Sequence, residues 1–459
     1  MKQKPNVLFL LADDMRFDAI AASGHPDIYT PHIDKLIQEG MSFDCAHIPG
    51  GTCGAICMPS RAMIHTGIGL FKQVDDGSVI PEEYTLLGEH LANNGYDTYG
   101  IGKWHNSTQS FNRSFQDGNE IMFGGMGDHW NVLANTYDAS GAYNRLRPHI
   151  DDPFSSRETE FSLVDHISPG VHSTDLFTED AMNYLRRDRS GNPFFLYVSY
   201  MAPHDPRSMP QKYLDMYKAA DIELPLNFMV EHPYEIGVRS IRDEVLAPYP
   251  RTEQDTKQQI AEYYAMITHL DDRIGDLITQ LKKSGEYKNT IIVFAGDNGL
   301  ALGQHGLFGK QNLYDHSVRV PLIFSGPGIP QSSRSNALVY LMDIYPTLCE
   351  LIGLSIPKSV ESQSLKSVID GQIKEVREHI YTAYKELHRA VRHDDWKLIR
   401  YHVESRVFYQ LFDLSKDPWE IANLYGQSEV EDIQNELEKL IRLCANESGE
   451  MSTNWALHW

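Results

Sequence analysis

Val7-Leu8-Phe9-Leu10-Leu11-Ala12-Asp13-Asp14, close to the start of the 459-residue chain, is the stretch that decides the fold. Six apolar residues end abruptly at two adjacent carboxylates. Lys2 and Lys4 precede the run, so it imitates an export signal, but it is too short for one. Its length suits a buried strand. We therefore take residues 7–12 as the first strand of a sheet.

Outward from this strand, short apolar runs alternate with helical patterns. This alternation indicates an α/β fold with a mixed, mostly parallel central sheet flanked by helices. The predicted strands are residues 7–12, 96–101, 194–199, 291–295 and 322–324. The predicted helices are residues 31–40, 81–94 and 252–283. In the last of these, apolar residues recur at helical spacing and are expected to face the core.

Two parts of the chain depart from this pattern. Residues 106–171 are rich in Gly, Asn, His, Asp and aromatic residues, and long irregular insertions in compact domains are usually functional or mobile. After residue 357, short antiparallel strands are predicted, followed by an amphipathic helix at about residues 430–444; the strands are residues 380–384, 389–392, 397–401 and 408–413. We predict an α/β domain at residues 1–356 and a smaller α+β subdomain with an antiparallel sheet at residues 357–459.

The composition limits the possible partners. Acidic residues number 63 against 41 basic ones, which gives a formal net charge of -22. Such a surface repels nucleic acid and anionic membranes, so we expect neither as a partner. Any anion site must therefore be a local pocket of positive charge. The five cysteines form no disulfide framework, although Cys45 and Cys53 could pair in an oxidising compartment. As it stands the sequence predicts a cytoplasmic protein, or a periplasmic one whose leader was removed.

Two loops with acidic residues follow two predicted strands in the same way. Asp13-Asp14 follows residues 7–12, and Gly296-Asp297-Asn298-Gly299 follows residues 291–295. An Asp-Asp pair alone is more often a solvated turn, but the second loop supplies matching oxygen donors. Adjacent carboxylates repel each other unless a cation lies between them. Asp13, Asp14, Asp297 and Asn298 form an all-oxygen set, which suits Ca²⁺ or Mg²⁺ and not zinc.

Cys57-Met58-Pro59-Ser60-Arg61, followed by Thr66-Gly67, is the most specific motif in the chain. Pro59 suits the first turn of a helix, so residue 57 would lie at a helix N-terminus, where free N–H groups attract anions. Arg61 lies one turn further and can fork onto an oxyanion. The motif resembles the sulfatase signature; the other interpretation is a buried Cys before a helix. Resemblance extends over nearly the whole chain, including Trp396-Lys397-Leu398-Ile399.

The resemblance is to the type I, formylglycine-dependent sulfatases of the alkaline phosphatase-like superfamily. It implies that a formylglycine-generating enzyme oxidises Cys57 to formylglycine, whose aldehyde hydrates to a gem-diol. One hydroxyl attacks sulfur and expels the alcohol; the other, once deprotonated, restores the aldehyde and ejects sulfate. The resemblance also implies that calcium is held by the formylglycine oxygen at position 57 together with Asp13, Asp14, Asp297 and Asn298.

Three further loops carry cationic or titratable side chains. Gly102-Lys103-Trp104-His105 follows residues 96–101, Ala202-Pro203-His204-Asp205-Pro206 follows residues 194–199, and Gly309-Lys310 follows the Asp297 loop. By resemblance, Lys103, His204 and Lys310 hold sulfate oxygens. One of His105 and His204 protonates the leaving oxygen, and the other helps to deprotonate the gem-diol. We place His105 near residue 57 and His204 near the leaving group. His305 is expected to support the site without reacting.

Substrate choice is expected to come from the irregular insertion and the C-terminal subdomain. Arg and aromatic side chains there suit an acidic sugar, although ordinary surface charge is an equally good interpretation of each residue. The hypothesis is a sulfated oligosaccharide, such as a uronate or amino-sugar derivative. The candidate substrate residues are His129, Trp130, Arg145, Arg147, His149, His172, Arg207, Lys385, His388 and Arg389.

Two other functions compete with this prediction. Phosphodiester and phosphonate monoester hydrolases of the same superfamily can share the Cys57 motif. Asn298, where those hydrolases tend to have His, favours sulfate. A protein that binds sulfated glycans without cleaving them is the non-enzymatic alternative if Cys57 is not converted. The oligomeric state is not predicted.

Overall fold

An eight-stranded sheet forms the centre of the structure, a computed structural model that describes residues 4–25, 27–149, 159–189 and 191–450. The spatial order of its strands is β8-β2-β7-β6-β1-β5-β3-β4, where the labels stand for β1 (Asn6–Ala12), β2 (Gly40–Phe43), β3 (Asp97–Trp104), β4 (Asp117–Phe123), β5 (Phe194–Ser199), β6 (Thr290–Gly296), β7 (Leu322–Ser325) and β8 (Ser333–Ser335). Only β7 pairs in antiparallel fashion with its neighbours, β6 and β2. The predicted mixed, mostly parallel sheet is confirmed.

Strand β1 lies in the middle of the sheet and joins two cores. Val7, Phe9 and Leu11 belong to the core on one face, and Leu8 and Leu10 to the core on the other. All are fully buried. Burying one such side chain contributes roughly 1.5–3 kcal/mol. A strand that is apolar at every position is needed here because helices cover both faces of the sheet.

The helices are distributed along the whole chain. Those described are α1 (Pro31–Gln38), α2 (Cys57–Thr66), α3 (Leu87–Asn93), α4 (Thr108–Ser114), α5 (Ser173–Arg186), α6 (Gln211–Leu214), α7 (Glu253–Lys283), α8 (Asp315–Val318), α9 (Ile344–Leu351), α10 (Lys366–Ile369) and α11 (Glu431–Glu447). The predicted apolar stripe of α7 is buried. The predicted start of α3 at residue 81 is wrong, because the Arg113 guanidinium donates to the Pro81 and Tyr84 carbonyls and holds that segment as a turn.

The stretch from residue 106 to 171 is only partly irregular. Helix α4 and strand β4 lie within it, and β4 is the edge strand of the central sheet. The sequence prediction of an irregular insertion is therefore wrong for residues 108–123. Further on, Leu146–His149 pairs with Glu160–Leu163, and Leu133–Ala134 pairs with His166–Ile167. Residues 150–158 of the predicted insertion lie outside the described residues.

A second sheet occupies the C-terminal part of the chain, as predicted. Its strands β9 (His379–Tyr384), β10 (His388–His393), β11 (Trp396–Val403) and β12 (Arg406–Asp413) are antiparallel, and α11 packs against β10. The short strand Gly50–Gly51 adds to β9 in parallel, so this sheet reaches the segment that leads to Cys57. All five cysteines are free. None of the described helices combines the length and apolar character needed to cross a membrane.

Candidate active site

Four loops meet at one edge of the central sheet. Asp13 follows β1, Lys103 lies at the end of β3, His204 follows β5 and Asp297 follows β6. These strands are parallel neighbours, so their carboxyl ends lie side by side. Ligand sites of α/β proteins form at this edge. The structure therefore brings together the loops that the sequence analysis singled out.

Asp13, Asp14, Asp297 and Asn298 form a buried cluster of oxygen donors, each at most 3% exposed. The Asp14 backbone N–H donates to Asp297 Oδ1 at 3.0 Å, and the Asp297 N–H donates to the Ala12 carbonyl at 3.0 Å. These bonds join the loops after β1 and β6. Asp14 has a φ of 60°, a left-handed conformation that turns the chain directly after the strand.

The cluster fits a hard divalent cation. Asp13 Oδ1 and Asn298 Oδ1 are buried and accept no hydrogen bond from the described residues. Burial and the neighbouring Asp297 raise the pKa of Asp13 although Lys103 and Arg61 lower it, so the protein's own cations only partly compensate a charge on this carboxylate. A cation that takes oxygen ligands from both loops would satisfy these atoms. The Cys57 sulfur lies within 4.8 Å of carboxylate oxygens of Asp13 and Asp297, next to such an ion.

Three buried cations surround the carboxylates. Lys103 Nζ donates to Asp13 Oδ2, Lys310 Nζ donates to Asp14 Oδ1 at 2.6 Å, and Arg61 Nε donates to Asp297 Oδ2 at 2.8 Å. Although burial opposes ionisation, Arg61, Lys103 and Lys310 hold the pKa of Asp297 at about 2. These are the cations that an anion site in an acidic protein requires, and each of them is paired with a carboxylate of the oxygen cluster.

Arg61 is committed to the protein framework. Besides Asp297, its guanidinium donates to the Lys103 carbonyl at 3.1 Å and to Ser199 Oγ at 2.5 Å. From the sequence, this side chain is expected to fork onto an oxyanion. In the structure it instead donates to acceptors at the ends of β3, β5 and β6. A side chain one helical turn after Cys57 reaches these acceptors.

Cys57 is the first residue of α2, as the Pro59 signal predicts. Its sulfur lies 3.2 Å from His105 Nδ1 and 3.6 Å from Lys103 Nζ. Burial raises the pKa of the Cys57 thiol. Burial, together with Lys103 and Arg61, lowers the pKa of His105 to about 2, so this imidazole is neutral.

His204 faces the carboxylates from the loop that follows β5. Its Nδ1–H donates to the Asp205 carbonyl at 2.7 Å, which leaves Nε2 directed into the site, 3.6 Å from Asp14 Oδ2. Burial and the neighbouring Lys310 and Lys103 hold the pKa of His204 well below its usual range. His305 lies further away, where its ring stacks on Tyr314 at 3.9 Å.

Comparison with known proteins identifies the family. The model of the family described as Sulfatase matches residues 5–354, and the model described as N-sulphoglucosamine sulphohydrolase, C-terminal, matches residues 303–447. The chain belongs to the sulfatase family. It is therefore a sulfuric ester hydrolase of the alkaline phosphatase-like superfamily. Sulfatases in general use a metal ion and a formylglycine, and the cluster around Asp13 and Cys57 is the candidate place for both.

Several similar proteins act on carbohydrates. An ulvan-active sulfatase of Formosa agariphila is 30% identical over 97% of this chain and 82% of its own. An N-acetylglucosamine-6-O-sulfatase of Bacteroides thetaiotaomicron is 26% identical over 96% of this chain and 86% of its own. A protein solved with its substrate D-glucosamine-2-N,6-O-disulfate shares the fold at a TM-score of 0.77 and 22% identity, over 98% of this chain and 99% of that one.

Four of the predicted substrate residues of this sulfatase are buried and bonded within the protein. His129, His172, His388 and Arg389 are at most 1% exposed, and the framework holds each of them. His388 Nε2 donates to the Ile236 carbonyl at 2.6 Å, and the Arg389 guanidinium is paired with Glu450. Their polar atoms are therefore engaged by the protein itself and not directed at a substrate. Their polarity in the sequence marks internal hydrogen bonds instead.

The other candidates differ in how close they lie to the site. Arg147 lies in the exposed strand of residues 146–149 and donates to the Asp165 carbonyl, and Arg145, directly before that strand, contacts the Asp165 carboxylate. Trp130 is half-buried against His172, and His149 faces Glu160. Arg207 and Lys385 are nearer to the site. Arg207 is close enough to Asp205 and Asp14 to interact electrostatically, and Lys385 to Cys53.

Several residues that support the site are not among the predicted site residues. The Asp205 carboxylate is paired with Arg242, which is 41% exposed, and Gln311 Nε2 donates to Asp243 Oδ2 at 2.5 Å and to the Gly54 carbonyl at 2.9 Å. Asp205 and Gln311 directly follow His204 and Lys310 in the chain, and that adjacency is the signal that could have found them. Arg242 and Asp243 lie in a loop without periodicity or motif.

Proposed function

We propose that this sulfatase removes sulfate from an acidic sulfated saccharide, with Ca²⁺ as its metal ion and with formylglycine made from Cys57 by a formylglycine-generating enzyme. The observation that carries the proposal is the position of Cys57. This residue begins α2. Its sulfur lies within 4.8 Å of carboxylate oxygens of Asp13 and Asp297 and beside Lys103 and His105. The carbohydrate-active relatives support the substrate class.

The side chains around position 57 supply distinct parts of the chemistry. When present, formylglycine supplies a hydroxyl nucleophile and a way to release sulfate by returning to the aldehyde. His105, whose Nδ1 lies 3.2 Å from the residue 57 side chain, accepts the proton that this release requires. Lys103 and Lys310 orient the sulfate oxygens and stabilise the negative charge in the transition state.

His204 protonates the leaving oxygen. Its Nε2 faces the site while its Nδ1–H is held by the Asp205 carbonyl, so the ring presents one nitrogen in a fixed direction. A bound sulfate ester adds negative charge to the buried pocket. That charge raises the pKa of the imidazole and favours its protonated form, as an acid catalyst needs.

The rim of the site supports an acidic sugar. The Lys385 side chain is exposed, and its backbone N–H donates to the Gly51 carbonyl, six residues before Cys57. Arg207 Nε is buried and finds no partner in the described part of the chain. Arg242 is partly exposed beside Asp205. Carboxylate or further sulfate groups on neighbouring sugar positions would pair with these cations.

The test is a panel of sulfated sugars with defined sulfate positions, with free sulfate as the readout. Protein co-expressed with a formylglycine-generating enzyme is compared with the Cys57→Ala variant, and the mass of the peptide spanning residue 57 reports conversion. Release from uronate-containing or multiply sulfated sugars, well above that from nitrophenyl sulfate, supports the proposal. Faster turnover of a nitrophenyl phosphonate assigns the phosphonate hydrolase alternative, and an intact thiol with tight glycan binding assigns the non-catalytic one.

A further inference from the structure

Two buried histidines lie behind the loop that carries His204. His129, in the segment after β4, and His172, immediately before α5, are at most 1% exposed. Their rings are stacked with centroids 5.0 Å apart and an angle of 9° between the planes. Burial lowers the pKa of His129, and it lowers that of His172 to about 3, so both rings are neutral at ordinary pH.

The hydrogen bonds fix the proton position on each ring. The Thr174 backbone N–H donates to His172 Nδ1 at 3.2 Å, so a neutral His172 carries its proton on Nε2, which donates to the Ser208 carbonyl at 2.9 Å. The His204 carbonyl can only accept, so His129 Nε2 carries the proton and donates to it at 3.0 Å. His129 Nδ1 then accepts from Ser173 Oγ at 2.7 Å.

The hydrogen bonds from His129 and His172 hold the two ends of one short segment, residues 204–208. The carbonyls of His204 and Ser208 are four residues apart, and the segment between them contains Asp205 and Arg207. Within this segment, the Asp205 carboxylate is also paired with Arg242. The His204 ring is in turn held by its Nδ1–H donation to the Asp205 carbonyl of this segment, which places Nε2 3.6 Å from Asp14 Oδ2.

We propose that His129 and His172 are positioning residues of this sulfatase, which hold the 204–208 segment from behind and set the direction of His204. The inference rests on the role of His204 in the proposed function. Neither histidine reaches the substrate. Displacing a reacting group by about 1 Å can cost on the order of 100-fold in rate, so a loosened segment is expected to lower kcat with little change in KM.

His269 offers a matched control. It is equally buried, and its ring lies 4.7 Å from that of His172, but its Nε2 pairs with Asp175 and not with the 204–208 segment. His129→Gln and His172→Gln are compared with His269→Gln. All three are expected to lower the thermal midpoint, whereas only the first two are expected to lower kcat, by about 10- to 100-fold, with KM changed less than about threefold.

A double-mutant cycle separates positioning from general damage. If His129 acts through His204, His129→Gln should lower kcat less than about threefold when His204 is already replaced by Asn, because coupled residues are not additive. Equal losses in both backgrounds, or an equal loss of kcat in His269→Gln, overturn the proposal. If His129→Gln does not fold, the cycle is carried out with His172→Gln.

Hydrogen exchange gives a readout that does not depend on turnover. Peptides covering residues 201–210 should exchange faster in His129→Gln and His172→Gln than in His269→Gln and the wild type. Unchanged exchange in this segment contradicts the positioning role even if kcat falls. Failure of the wild-type protein to release sulfate contradicts the proposed function, while this exchange comparison still decides whether the two histidines hold the segment.

Discussion

Replacing Glu244 by Gln should damage catalysis from a distance, because this carboxylate holds the loop that carries Lys310. Glu244 is 1% exposed. Its Oε1 accepts the Gly309 N–H at 2.7 Å, and its Oε2 accepts the Phe308 N–H at 3.0 Å and the Tyr249 hydroxyl at 3.1 Å. The Arg251 guanidinium is also paired with Oε2. Gln has the same shape, so the change leaves no cavity.

The expected loss in the free energy of unfolding follows from the donors that a Gln amide at position 244 cannot accept from. Gln keeps one acceptor oxygen, and its NH₂ group must then face donors on the other side, either Gly309 or the set containing Arg251. Loss of a charge-assisted hydrogen bond costs roughly 1.5–3 kcal/mol. Removing one partner of a buried ion pair costs about 3–5 kcal/mol. Arg251 retains the carbonyls of Gly306 and Ala247. We therefore expect a loss of about 3 kcal/mol in the free energy of unfolding.

The assay compares Glu244→Gln with Glu450→Gln. Glu450 is an equally buried carboxylate that pairs with Arg389 and accepts from the Tyr381 hydroxyl, beside the C-terminal sheet. Urea unfolding should show similar losses for both. Only Glu244→Gln should lower kcat, by about 10- to 100-fold, because Gly309 and Lys310 then shift. If kcat is unchanged in Glu244→Gln while stability falls, the argument that Glu244 positions Lys310 is refuted.

Three further predictions concern the ion, a pH dependence and the substrate. Chelation should lower the thermal midpoint, since an ion at 100 times its Kd contributes about 2.7 kcal/mol, and Asp14→Asn should largely remove the shift that added Ca²⁺ produces in calorimetry. Burial raises the pKa of Asp271 from 3.8 to about 7. Stability should therefore fall between pH 4 and pH 7, and Asp271→Asn should flatten this slope in urea unfolding. Lys385→Met should raise KM for a carboxylated saccharide several-fold and leave KM for nitrophenyl sulfate unchanged.

The sign of the Asp271 prediction follows from its contacts. Its carboxylate accepts the N–H groups of His32 and Ile33 at the start of α1, and these bonds lower its pKa by less than burial raises it. Between pH 4 and pH 7 the folded protein therefore holds a proton on Asp271 that the unfolded chain has released. The stability present below pH 4 is lost as pH rises toward 7. Asn keeps one oxygen acceptor and carries no charge at either pH.

The central sheet and the cluster around Asp13 could be predicted because the sequence signals there are local. Each strand is a short apolar run, and Asp13, Lys103, His204 and Asp297 each follow one of the predicted runs within a few residues. Parallel pairing then brings strand ends together without any knowledge of tertiary contacts. The edge strand β4 was missed because Asp117–Phe123 mixes polar and apolar residues, and its pairing with β3 outweighs its weak propensity.

The substrate residues could not be predicted for a different reason. His129 and His388 are of a residue type that often binds substrates. In a sequence, however, a polar side chain with buried partners cannot be told from one that faces solvent. Which of the two it is depends on contacts between distant segments, such as the Ile236 carbonyl that accepts from His388. Arg242 is the converse case, since no motif marks it and only the fold brings it to Asp205.

The charge arrangement at the site leads to a last prediction, about the order in which ligands bind. Arg61, Lys103 and Lys310 each contact one of the three carboxylates, so the cations and carboxylates nearly cancel and leave little net charge to attract an anion. A divalent ion on the oxygen cluster would supply the missing positive charge and compete with Lys103 and Lys310 for their partners. Inorganic sulfate should therefore bind at least about tenfold more tightly with Ca²⁺ than with chelator, and by linkage sulfate should tighten Ca²⁺ binding by the same factor. Calorimetry on the Cys57→Ala variant measures both, and equal sulfate affinity in the two conditions would show that the lysines alone suffice.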